Sequence, residues 1–135
     1  MLKSENIKYL VIHCSDTPDK LDLSAEDIHR MHLSFGWNGI GYHKIIKRDG
    51  TLENGRPEFW IGAHTYGLND RSLGVCLIGR NKFTNKQFLT LKYILIEWKK
   101  RFKNSTILGH SEAIKTKKTC PNFDVKKFLN NNNIK

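Results

Sequence analysis

The segment 109–124, GHSEAIKTKKTCPNFD, gathers a histidine, a run of lysines and a cysteine followed by proline. His110 comes directly after the apolar run Thr106, Ile107, Leu108, which places it where a buried strand ends. Cys120 falls in an irregular loop that Pro121 stiffens by fixing its own φ and restricting the residue before it. An imidazole and a thiolate on a constrained loop are two zinc ligands short of a third. His13, far back in the sequence and also at the end of an apolar run, is the candidate for that third position. Two nitrogens and one sulfur leave a fourth coordination position open, which is the mark of a catalytic and not a structural zinc site. Such an ion lowers the pKa of its water from about 15.7 to roughly 7 and polarises a carbonyl, which together suit amide hydrolysis. Spacing alone leaves the plainer readings standing beside this one: free buried thiols and packing histidines.

A hydrolytic site also needs positive charge for a developing oxyanion and a group to handle protons. Lys118, two residues before Cys120, can bring the charge, and Tyr42 offers a phenol for the water or its proton. Taken singly, a lysine beside Lys115 and Lys117 is ordinarily a solvated charge, and a strand tyrosine ordinarily packs. Cys76, inside the run 73–78, reads as a buried thiol. Cys14 neighbours His13 but should point to the opposite face of an extended strand, so the two should not share one ion.

Several elements would have to position these groups. Residues 7–13 read as a buried strand. Ser24 with Asp27 three residues on gives a helix start, Leu23 can staple on Ile28, and Ile28, Met31, His32 and Phe35 follow at helical spacing up to Gly36. His29 and His32 on that helix read as packing or surface residues. A glycine-rich turn, WNGIG, leads into a strand over 42–46 that pairs with 51–53 across Arg48-Asp49-Gly50. Residues 54–70 read as mostly loop, with Trp60 and His64 embedded in it. A second buried strand spans 72–78. Thr84 and Gln87 repeat the capping chemistry before a stripe of Phe88, Leu91, Leu95, Trp98 and Phe102. A strand at 106–108, a short helix over 122–129 and a frayed polar tail at 130–133 complete the chain. Loosely alternating strands and helices with one hairpin predict an α/β fold: a mixed central β-sheet flanked by helices.

A chain of 135 residues suits a single domain spanning 1–135. No stretch approaches 18 consecutive apolar residues, so no membrane span is expected. The apolar run near the N-terminus is too short for a signal peptide, which places the chain in the cytoplasm on synthesis. Three cysteines cannot all pair, in keeping with a reducing compartment. With 23 basic against 13 acidic residues the net charge is +10, which favours an anionic partner such as nucleic acid, a membrane surface or an acidic wall polymer. No zinc-finger spacing or RNP-like aromatic motif supports specific nucleic-acid binding.

VIHCSDT around His13, GYHKIIKRDGT around Tyr42, NDRSLGVCLIG from Asn69, GHSE at His110 and KTCPNFD around Cys120 occur in this order. Together they resemble the zinc-dependent N-acetylmuramoyl-L-alanine amidases of the phage-lysozyme type, relatives of the peptidoglycan recognition proteins. The resemblance runs from residue 7 to about residue 129. It implies Zn2+ held by His13, His110 and Cys120, with Tyr42 and Lys118 as catalytic helpers. It also implies cleavage of the bond between N-acetylmuramic acid and the L-alanine of the stem peptide in peptidoglycan. The segment between His110 and Cys120 is slightly longer than in similar proteins, which makes Lys117 a rival to Lys118. His64 matches a cleft-side histidine and is expected to contact substrate and not the metal; Trp60 and Asn69 are further candidates for substrate contact. The expectation is a monomeric phage or prophage lysin that acts on the cell wall after release. A non-catalytic peptidoglycan-binding module of the same fold is the alternative. Such modules typically lose a ligand, commonly the cysteine, whereas Cys120 is present here.

Overall fold

In the computed structural model, which describes residues 1–114 and 119–135, a five-stranded sheet runs through the centre in the order β3-β2-β4-β1-β5. The strands are β1 (Tyr9–Cys14), β2 (Lys44–Ile46), β3 (Leu52–Asn54), β4 (Ser72–Leu77) and β5 (Thr106–Gly109). β1 lies parallel to both β4 and β5, β2 lies parallel to β4, and only the β2–β3 hairpin is antiparallel. The two central strands are nearly continuous apolar runs because both of their faces are covered. This is the mixed, helix-flanked sheet expected from the sequence.

Alternate residues face opposite layers. Leu10 and Ile12 of β1 and Leu73, Val75 and Leu77 of β4 pack under the helix α2 (Asn85–Arg101), with its buried Leu91, Leu95 and Trp98. The other face carries Ile45 and Ile78 against Ile28 of the helix α1 (Ala25–Ser34). Both capping boxes form as expected: Ser24 with Asp27 starts α1, and Thr84 with Gln87 starts α2. Gly36 adopts φ +88 and ends α1, a conformation that a residue with Cβ resists. A four-residue helix, α3 (His110–Ala113), follows β5 without a break, and α4 (Val125–Asn131) starts at the cap Asp124.

Three sequence expectations shift. The strand expected over 42–46 begins at Lys44, because Tyr42 carries the end of the WNGIG turn, although the His43 N–H still donates to the Gly74 carbonyl. The first strand begins two residues later than expected, at Tyr9, and ends one later, at Cys14. The tail is not frayed: Asn130 and Asn131 belong to α4, and Ile134 is buried in the α2-side core. Among the described residues no helix is long and apolar enough to cross a membrane.

Candidate metal centre

The register of the sheet brings the distant histidines together. Ile12 of β1 pairs with Gly109 of β5, so the next residues, His13 and His110, emerge side by side at the carboxyl ends of parallel strands. Their ring centroids are 4.5 Å apart. Cys120 lies against α3, whose Ser111 N–H donates to the Cys120 carbonyl at 2.9 Å. One ligand atom from each of His13, His110 and Cys120 lies within 4.8 Å of the other two. Ligands of one zinc, at bond lengths of about 2.0–2.3 Å, sit roughly 3.3–3.8 Å apart, close to this spacing.

The donor set also fits in chemical state. His13 is buried, and burial, followed by the neighbouring His64, His110 and His43, holds it neutral well below the usual imidazole range. Neutral imidazole is the ligating form. The Cys120 sulfur accepts the Cys14 backbone N–H at 3.0 Å, a contact that favours thiolate. Against that, hydrogen bonding to the Cys14 thiol and burial push the Cys120 thiol up, so a thiolate there needs a cation beside it. The nearness of Cys14 to Cys120 was not foreseen, but Cys14 is not among the residues whose ligand atoms converge.

Tyr42 packs with its ring centroid 5.1 Å from that of His13. Burial, aided by the thiols of Cys76, Cys120 and Cys14, pushes its phenol well above the ordinary tyrosine range, so Oη keeps its proton at neutral pH. Its placement depends on two histidines that the sequence suggested only as packing or surface residues. His29 Nδ1 accepts the Ile40 N–H and His32 Nδ1 accepts the Gly41 N–H, both at 3.0 Å, which pins the glycine turn onto α1. Tyr42 and His43 point apart. His43 is buried with Nδ1 accepting from the Gly74 N–H and Nε2 donating to the Trp60 carbonyl.

These groups line a cleft of about 540 Å³ that includes His13, Tyr42, His64, His110 and Cys120. Phe35 and Trp37 also line it, although they remain 57% and 45% exposed. Apolar rings left in water at a polar cleft are a feature the sequence reading passed over, having put Phe35 on the helix's apolar stripe.

The other sequence candidates are placed differently. His64 lines the cleft but is only 8% exposed, and protein atoms engage both its ring nitrogens. Asn69 accepts the His64 and Thr65 N–H groups on Oδ1, both at 2.9 Å, and so shapes the loop. Trp60 is half exposed beside Phe59, outside the cleft lining. Lys118 and its rival Lys117 lie outside the described residues.

The sequence profile of a family described as N-acetylmuramoyl-L-alanine amidase matches residues 3–123. The chain is 34% identical over 140 residues to the endolysin of Klebsiella phage KP32, covering 98% of this chain and 91% of that protein. It is 35% identical over 138 residues to the endolysin of Escherichia phage T7, covering 96% and 90%. Among solved structures, the N-acetylmuramoyl-L-alanine amidase LysC from Clostridium intestinale URNW superposes with a TM-score of 0.85 at 28% identity, over 100% of this chain and 91% of that one.

Proposed function

The chain belongs to the N-acetylmuramoyl-L-alanine amidase family, and on that footing we propose that its hydrolysis depends on zinc held by His13, His110 and Cys120. It is an N-acetylmuramoyl-L-alanine amidase, a hydrolase of the amide between N-acetylmuramic acid and L-alanine in peptidoglycan. The observation that carries the metal assignment is the convergence of three donor atoms from opposite ends of the sequence within 4.8 Å. Bound there, zinc would supply Lewis acidity toward an amide carbonyl and a water acidic enough to attack near neutral pH.

The chain's own residues then divide the remaining work. His13 and His110 present neutral nitrogens, and the Cys14 N–H steadies the Cys120 sulfur. Tyr42 keeps a proton on Oη that can be donated toward the oxygen gaining charge as the amide carbon becomes tetrahedral. Lys118 is proposed as the cation that stabilises that charge, with Lys117 as its rival. Phe35 and Trp37 offer apolar faces to the glycopeptide at the cleft wall. Trp60 and Asn69, outside that lining, could touch substrate only beyond the cleft. In this reading residues 1–135 act as one catalytic domain, monomeric, of a phage or prophage lysin that meets the wall after release.

The test combines metal analysis with turnover. Purified protein should hold one zinc per chain and release stem peptides from peptidoglycan, and chelation should stop that release until zinc is restored. Release at an undiminished rate after complete chelation overturns the zinc assignment.

A further inference from the structure

His64 carries more than a place in the cleft wall. Five polar contacts run from the Leu68 carbonyl through Ser72, His64 and Thr65 to His13, and their directions can be read in sequence. The Ser72 hydroxyl donates to the Leu68 carbonyl at 2.7 Å. Its single proton is spent there, so across the 3.3 Å contact with His64 Nε2 the imidazole must be the donor. His64 Nδ1 is then bare, and across the 3.0 Å contact with His13 Nε2 it can only accept. Thr65 Oγ1, 2.9 Å from His64 Nδ1 and 3.2 Å from His13 Nε2, closes a triangle in which the one Nε2–H and the one Nδ1 lone pair are each shared with the hydroxyl. His13 therefore carries its proton on Nε2, which leaves the lone pair on Nδ1.

The backbone makes room for this arrangement. A Cβ at Gly74 would lie 2.6 Å from the His64 ring, and one at Gly62 would lie 2.6 Å from its Cδ2. Only glycine at these two positions lets the imidazole lie flat against β4. Asn69 fixes the same residue from its backbone side.

We infer that His64, oriented by Ser72, is a positioning residue that locks His13 in the tautomer with a bare Nδ1 and so presets that nitrogen for the metal. The inference rests on the metal reading above but assigns His64 a task distinct from substrate contact. A histidine ligand is commonly oriented through its second nitrogen by a carboxylate, a carbonyl or water, and here another imidazole takes that place.

The experiment uses the intact chain labelled with 15N-histidine, together with zinc affinity measured by competition against a chromophoric chelator. In the metal-free wild type, the ring-nitrogen signals of His13 should report a proton on Nε2. His64→Phe keeps a planar ring but removes the acceptor; zinc affinity should fall roughly 10- to 100-fold. His64→Asn, whose amide oxygen can stand near the former Nδ1, should recover most of that loss, which a role in packing alone would not produce. Ser72→Ala should cost less, with His64 losing its single tautomer. A His13 protonated on Nδ1 in the wild type, or a His64→Phe chain that binds zinc as tightly as the wild type, overturns the inference. If His64→Phe does not fold, unchanged zinc affinity and an unchanged tautomer in Ser72→Ala overturn it instead. Failure of the metal reading looks different: no chain, wild type included, would bind zinc, and both assignments would fall together.

Discussion

Ile12 and Gly109 face each other across the parallel β1–β5 pair, and this register alone makes neighbours of His13 and His110. A slip of one residue would turn one imidazole to the opposite face of the sheet, under α2. The precision of the site is thus inherited from a strand pairing, with the Cys120 loop supplying the third donor.

Cys120→Ser removes the only sulfur of the triad. Zinc affinity and stem-peptide release should both fall by more than the roughly 100-fold typical of losing a group that merely orients a ligand. Sedimentation with purified peptidoglycan should still show binding, because the aromatic cleft wall is untouched. Normal turnover in this variant would remove Cys120 from the metal site.

Gly74→Ala places a methyl 2.6 Å from the His64 ring. The imidazole must shift, so the variant should lose about 1–3 kcal/mol of stability in urea titrations and bind zinc more weakly. If its zinc affinity equals that of the wild type, the close packing of Gly74 and His64 is irrelevant to the centre.

Acid should destabilise the metal-free chain. Burial, the leading cause in each case, holds His43, His13 and His64 neutral below the usual imidazole range in the folded state. The unfolded chain takes up these protons near pH 6.5, so their contribution is complete above that pH and is lost as pH falls below it toward the folded values. Each such group contributes up to about 1.4 kcal/mol per pH unit in that window. Urea midpoints of chelated protein should therefore drop from pH 7 to pH 5; a flat profile contradicts the buried neutral histidines.

Trp98→Ala should be the costliest of the core changes. The indole is fully buried and its Nε1 donates to Glu58 Oε2 at 3.1 Å, tying the 55–60 loop to α2. A loss of about 3–5 kcal/mol is expected from the cavity, with the lost hydrogen bond a smaller addition because Glu58 keeps its ion pairs to Arg101 and Lys44. Zinc content in the surviving folded fraction should stay unchanged.

Lys118→Ala and Lys117→Ala should separate by rate and not by metal. The variant lacking the oxyanion partner should lose about 100-fold or more in kcat while zinc content holds. Equal, near-normal rates in both would remove this lysine segment from the chemistry.

Both capped helices were legible because their signals are local, Ser or Thr three residues before Asp or Gln, whereas the candidate triad of His13, His110 and Cys120 was singled out by apolar runs ending in histidine and a Cys-Pro loop only together with the family resemblance. Long-range pairing was not legible. Nothing at positions 64, 68 and 72 announces a hydrogen-bond chain, since it exists only once β4 lies beside β1. His29 and His32 were missed for a related reason, because a helix histidine that accepts a backbone N–H from a following turn has the same spacing as one that packs. Ile134 was hidden by its surroundings, a single apolar residue behind an asparagine run that then folds back onto the core.

β1 precedes both of its sheet neighbours in the sequence, β4 and then β5. A nascent chain still on the ribosome before Gly109 emerges has no His110 and no β5 to set it, so it cannot assemble the hydrolytic centre. A fragment that stops short of β5 therefore lacks one donor of the candidate triad together with the strand that sets its position, and should hold no zinc there.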